Sequence, residues 1–163
     1  MKSGWKEWLI PVFNYNLLNL IKNIPTMKQE KDYLKKQIDQ LGIVLRKVLS
    51  DLLGIKQQGV QQDVIETTNK ALKSEIDLDL NEFIALPDDS FIDTLVREKG
   101  FNNENLDYFT DILISVAERF PDDETMKKSL YQKCMLIYTF QEKSASTYSF
   151  GRQMKTDRLK KLL

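Results

Sequence analysis

Leu34, Ile38, Leu41, Leu45, Val48, Leu52 and Ile55 are separated by 4, 3, 4, 3, 4 and 3 residues. A spacing that alternates three and four returns to one side of an α-helix, whereas a strand returns to the same face every second residue. This stretch is therefore committed to helix. The seam would serve a homodimeric coiled coil, but Gly42 and Gly54 fall within it. Ile43, Val44, Leu49 and Leu53 also broaden it to the stripe of a helix in a globular bundle. Bundle core is the expectation, with Lys35, Lys36, Gln37, Asp39, Arg46 and Lys47 in water.

The same period recurs downstream. Gly59 after a Lys-Gln-Gln step predicts a turn near Lys56–Gly59, then a helix from about Val60 to Ser74. A short piece around Leu80–Leu86 precedes Pro87. Asp88, Asp89 and Ser90 offer N-caps to a helix through Phe91, Ile92, Leu95 and Val96, which Gly100 ends. Asn102 and Asn103 cap a helix over Glu104–Phe120, with Leu106, Phe109, Leu113, Val116 and Phe120 as its buried stripe. Pro121 stops it, and Asp122-Asp123-Glu124 starts the next, which runs to about Glu142. That helix carries Met126, Leu130, Tyr131, Cys134, Ile137 and Tyr138 on more than one face, as expected between two neighbours. Ser144–Ser149 reads as a turn. A last helix over Tyr148–Leu163 sets Phe150, Met154, Leu159, Leu162 and Leu163 against Arg152, Lys155, Arg158, Lys160 and Lys161. No alternating run demands a strand, and no Asn-Gly or Asp-Gly hairpin turn occurs. The expected fold is all-α: five to seven helices as stacked antiparallel hairpins in a bundle.

Residues 1–26 differ in character. Both tryptophans, Trp5 and Trp8, stand here with Phe13 and Tyr15. Pro11, Asn14, Asn16 and Asn19 interrupt the apolar stretch, which argues against a membrane-spanning helix, and no signal-peptide cleavage pattern is visible. The segment reads as an aromatic arm, which would bring a membrane contact if native, or as an extension upstream of a natural start at Met27. Residues 27–163 read as one helical domain.

Composition limits the chemistry. With no histidine there is no imidazole base, no Ser-His or Cys-His pair and no His-ligated metal. One cysteine, Cys134, makes no internal disulfide, which favours a reducing, cytoplasmic setting; its helical spacing from Leu130 and Ile137 marks it as core. Asp77-Leu78-Asp79-Leu80-Asn81 resembles the opening of a calcium loop, but Glu82 stands where the turn glycine belongs. A turn with a short packed helix is the better account. The pairs Asp88/Asp89 and Asp122/Asp123 are explained by capping rather than acid–base work. No phosphate-binding glycine loop is present. The expectation is no enzyme, no cofactor and no metal site; the alternative is a metal protein or enzyme that uses carboxylates of the acidic middle.

Lys+Arg and Asp+Glu balance at 24 each, so nothing in bulk charge favours nucleic acid. The distribution is uneven. Residues 1–74 carry 12 bases against 7 acids, residues 75–124 carry 3 against 15, and residues 125–163 carry 9 against 2. An acidic surface for a basic partner is one reading. Self-complementarity, with the basic last helix closing the bundle against the acidic middle, is preferred.

Ser129-Leu130-Tyr131-Gln132-Lys133-Cys134-Met135-Leu136-Ile137 resembles the second helix of a tetratricopeptide repeat, with Cys134 in place of the small alanine. The first-helix Trp, Leu-Gly and Tyr are not recognisable in Leu106–Phe120, and no 34-residue period returns. From Met27 onward the chain is also similar to small bacterial proteins with degenerate tetratricopeptide-like helices, whose opening resembles Asp32-Tyr33-Leu34-Lys35-Lys36-Gln37-Ile38. The resemblance implies a hairpin stack that holds a peptide or protein in a groove. The expected function is a non-catalytic interaction or scaffold module for a protein or peptide partner, with homodimerisation open. Tyr108, Asp111, Tyr131 and Tyr138 are the candidate partner-binding residues, read as exposed tyrosines near acids suited to a basic or amphipathic peptide.

Overall fold

A computed structural model describes residues 6–54, 61–121, 124–145 and 147–163, with side chains from 27 onward in the first helix and from 64 onward in the second. Among the described residues there are seven α-helices and no strand: α1 (Lys6–Gly54), α2 (Gln61–Ile76), α3 (Leu80–Ile84), α4 (Asp88–Asp93), α5 (Asn103–Ala117), α6 (Thr125–Ser144) and α7 (Phe150–Lys160). The fold is all-α. The side chains of the aromatic arm, Ile55, the Lys56–Gly59 turn and Asp122–Asp123 lie outside the described residues.

The chain divides into two compact units, Met1–Gln37 and Ile38–Leu163. From Met27 to Gln37 every side chain is exposed, Tyr33 and Leu34 included, and the first buried apolar side chain among the described residues is Leu41. In the first unit Gln37 Nε2 donates to the Tyr33 hydroxyl at 2.9 Å, one turn back along the helix.

The second unit holds the core. Of the predicted seam, Leu41, Leu45, Val48 and Leu52 are buried, Ile38 is half-buried and Leu34 is exposed. The stripe is also narrower than expected: Val44 and Leu49 pack at its margin, whereas Ile43 and Leu53 face solvent. Two side chains of α5 fix its partner. Asn105 Nδ2 donates to the Ile38 carbonyl at 3.1 Å, and Arg119, just past the end of α5, donates to the Leu52 carbonyl at 2.8 Å. Both pairs are 67 residues apart, so α1 and α5 run parallel here.

Gly42 permits that approach. A Cβ there would lie 2.8 Å from Asn105 Oδ1, and Asn105 is itself buried with its amide committed to Ile38. Alanine is the better helix former by about 1 kcal/mol. Gly42→Ala is nevertheless expected to destabilise by about 1–2 kcal/mol, because the displaced Asn105 loses a buried hydrogen bond. Gly151→Ala, with open space around the added carbon, is expected to stabilise by up to about 1 kcal/mol. Urea unfolding of the two variants checks the opposite signs.

Local chemistry sets the remaining helix ends. Asp79 caps α3, its carboxylate accepting from the Asn81 and Glu82 N–H groups at 3.0 and 3.4 Å and from Lys73 Nζ at 2.9 Å. Leu78 and Leu80 between these acids are buried, so the calcium-like pattern is a capped turn. Asp88 does not cap α4; Pro87 holds that position without a side-chain bond, and Asp88 pairs with Lys133 instead. After α4 the helix widens into a π-helical turn over Thr94–Glu98, closed by Lys99 N–H donating to the Thr94 carbonyl. Gly100 then takes φ +71°, and Phe101 N–H reaches back to the Leu95 carbonyl at 3.0 Å, a C-cap that favours glycine. Asn102 caps α5 by accepting from Asn105 N–H at 2.8 Å. These turns deliver Phe83, Phe91, Phe101 and Phe109 to one cluster. Phe83–Phe91, Phe83–Phe109 and Phe101–Phe109 meet edge-on at 5.4, 6.2 and 5.4 Å.

Candidate functional site

α5 and α6 are antiparallel. Gln141 near the end of α6 donates to the Asn103 carbonyl and to Asp107 at the start of α5, and Cys134 lies against the Thr110 carbonyl. Buried faces of both helices meet there: Leu106, Phe109 and Leu113 from α5, Leu130, Cys134 and Ile137 from α6.

The next turn returns the chain as α7, whose N-cap Ser149 accepts from Arg152 N–H at 3.3 Å. Asp107, Asp111, Ile114 and Glu118 form one stripe of α5, at helical intervals of four, three and four. The cations of α7 meet it in order. Arg152 grips Asp107 with both arms of its guanidinium at 3.3 and 3.2 Å, Lys155 meets Asp111 at 2.6 Å and Arg158 meets Glu118 at 3.1 Å. Pairs that ascend together make α7 parallel to α5. Three acids of the acidic middle are thus paired with the basic last helix, the arrangement that self-complementarity predicts.

α7 is therefore inverted relative to expectation. Arg152 turns inward while Arg158 stays largely exposed, and of the helix's apolar residues only Leu159 is buried, beside Thr156. Phe150 and Met154, expected in the core, are 68% and 59% exposed, one helical turn apart. Tyr148, immediately before the helix, is 73% exposed. Leu162 and Leu163 are exposed as well. The charged face wins because the α5 stripe offers three carboxylates where an apolar helix face would need apolar partners.

The candidate residues separate. Tyr131 and Tyr138 are core, not exposed tyrosines: both are buried on α6, and burial pushes both hydroxyls above the ordinary tyrosine range. α6 packs against α3, α4, α5 and α7, which leaves the two tyrosines almost no exposed surface. Tyr108 is half-buried on another side of α5, where it donates to Glu104 at 3.0 Å and lies under Arg46 of α1 at 5.6 Å. Asp111 and Tyr131 come together, in a hollow of about 100 Å³ between α5, α6 and α7 that Ile114, Lys155 and Leu159 also line. A larger hollow of about 410 Å³ lies at the start of α7, bounded by Glu142, Tyr148, Arg152 and Gln153. Asp107 and Gln141 were not singled out from sequence, whereas Arg152, Phe150 and Met154 were read as the basic and apolar sides of the last helix. The three-residue spacing of Arg152, Lys155 and Arg158, one residue before Leu159, was the signal available.

Burial also raises the Cys134 thiol far above its usual range, with Asp111 nearby adding to the effect; a thiol held protonated is a poor nucleophile. Among the described residues no group of three or more Asp, Glu, Cys or His side chains is placed to hold a metal ion. No helix among them is long and apolar enough to cross a membrane. No protein-family model, curated protein or solved structure matches this chain.

Proposed function

We propose that this chain is a non-catalytic helical interaction module that binds a protein or peptide partner. The observation that supports it is the outward apolar edge of α7. A helix with a solvated outer face spends its charged residues on water; α7 spends Arg152, Lys155 and Arg158 on α5 and leaves Tyr148, Phe150 and Met154 uncovered. Large side chains crowded on one exposed edge are the composition of an interface centre. The finer reading, hairpins used like those of tetratricopeptide repeats, belongs to the same proposal and draws on the antiparallel α5–α6 pair.

The test is a double substitution, Phe150→Glu with Met154→Glu. Both side chains are exposed, so the change in stability is expected to stay within about 0.5 kcal/mol. Capture from a native lysate is expected to recover a partner with the parent chain and to lose that same partner with the variant. Recovery of identical proteins by both would count against the reading. A shift in elution volume that depends on the two substitutions would identify the partner as a second copy.

A further inference from the structure

On the opposite side from that apolar edge, we propose that the α5–α6 face beneath α7 is a receptor for a basic amphipathic helix, filled in the free chain by α7 itself as a displaceable cover. Three observations carry this. First, recognition is mainly through charge. The carboxylates of Asp107, Asp111 and Glu118 follow one stripe of α5, and each meets a cation of α7; apolar burial by α7 itself rests on Leu159. Exposed or half-exposed pairs contribute little each and are screened by salt. Lys155–Asp111 and Arg158–Glu118 are of that kind, with only Arg152 drawn well inside. Second, helices with few apolar contacts open first in native proteins. α7 ends one side of the bundle, and its displacement would leave the Asp107–Gln141 bond between α5 and α6 in place. Third, α7 leaves the face incompletely satisfied. At the same junction the Tyr138 hydroxyl and Gln141 Oε1 are enclosed with no hydrogen-bond partner among the described residues. Asp107 already accepts from both Gln141 and Arg152, so a different helix carrying a donor or acceptor toward α6 would meet groups that α7 does not. The occupant is thereby defined by chemistry: cations at intervals of three residues and a leucine directly after the third, the pattern Arg152, Lys155, Arg158, Leu159.

The experiment uses the full chain and a labelled peptide of residues 148–163. In the parent chain, raising NaCl from about 20 mM to about 0.5 M is expected to speed hydrogen exchange of α7 amides about tenfold while α5 and α6 amides stay unchanged. In the full-length variant Lys155→Glu with Arg158→Glu, α7 amides are expected to exchange freely, and the labelled peptide is expected to bind at least about tenfold more tightly than a scrambled peptide of equal charge. Adding Asp107→Lys and Asp111→Lys is expected to abolish that preference. Exchange of α7 that ignores salt would overturn the proposal without any variant. So would a charge-reversed chain whose α5 and α6 lose protection along with α7, or one whose freed face binds both peptides alike. The salt dependence of α7 exchange and its loss on charge reversal do not involve Phe150 or Met154, so this proposal and the interaction-module reading fail separately.

Discussion

Phe109→Ala is expected to cost about 3–5 kcal/mol of folding stability, the range for an aromatic truncated in a closed core. The corresponding fall in Tm is roughly 10 °C for a chain of this size. Phe109 has no exposed surface and meets Phe83 and Phe101 edge-on. Those partners come from α3 and from the turn after Gly100, so one deletion loosens three segments at once. The neighbours cannot simply collapse into the space. Each ring is held by a capped or reversed backbone: Phe83 by the Asp79 cap, Phe101 by its bond to Leu95. Phe109→Leu keeps most of the volume and is expected to cost less than about 1.5 kcal/mol. Thermal and urea unfolding of both variants checks the ratio. A loss below about 1 kcal/mol for alanine would mean that the cluster relaxes, contrary to close packing.

The second large effect is expected at Lys133. Its side chain is 6% exposed, and Nζ lies 2.6 Å from the Leu86 carbonyl, 2.9 Å from Asp88 Oδ1 and 4.9 Å above the Phe91 ring. One ammonium thus ties α6 to the end of α3 and the start of α4, with three kinds of partner. Asp88 is 73% exposed, so water can replace the lysine there. The Leu86 carbonyl and the ring cannot be compensated so cheaply. Lys133→Met, which keeps the stem and removes the charge, is expected to destabilise by about 2 kcal/mol, as for a charge-assisted bond to a partly buried group. Asp88→Asn is expected to cost less than about 1 kcal/mol. Equal losses in the two variants would show that the ion pair, and not the carbonyl and ring, holds the junction.

Much of the local structure was legible beforehand. Stripes with steps of three and four placed α1, α5 and α6; Asn102 and Pro121 marked the ends of α5 and Gly100 the end of the turn after α4, for reasons of backbone conformation and lost N–H donors. Of the predicted stripe Leu106, Phe109, Leu113, Val116 and Phe120, the first four are buried and Phe120 is half-buried. The candidate surface was far less legible. Tyr131 and Tyr138 carry a polar tip on a large apolar body, so their side chains suit an interface or a core equally well. What sent them inward is the arrival of α7 over α6, which neither residue encodes. Asp88 was read as a cap because the cation it serves stands on α6, 45 residues away.

The amino-acid order by itself determined that this chain is helical, where most helices start and stop, and that an acidic middle lies between basic flanks. Those properties depend on neighbours within about two turns, or on simple counts, and need no knowledge of the fold. Which helices meet, and with which face, was decided only in three dimensions. α1 lies parallel to α5 because Gly42 admits Asn105 and because Arg119 reaches the Leu52 carbonyl. α7 turns Arg152 inward onto Asp107 and sets Lys155 and Arg158 at the margin beside Asp111 and Glu118, because those carboxylates line α5 in the same order. An amphipathic helix has two faces of defined character, but the partner it meets selects the one it buries. For α7 the partner was charged, and Phe150 and Met154 were left exposed.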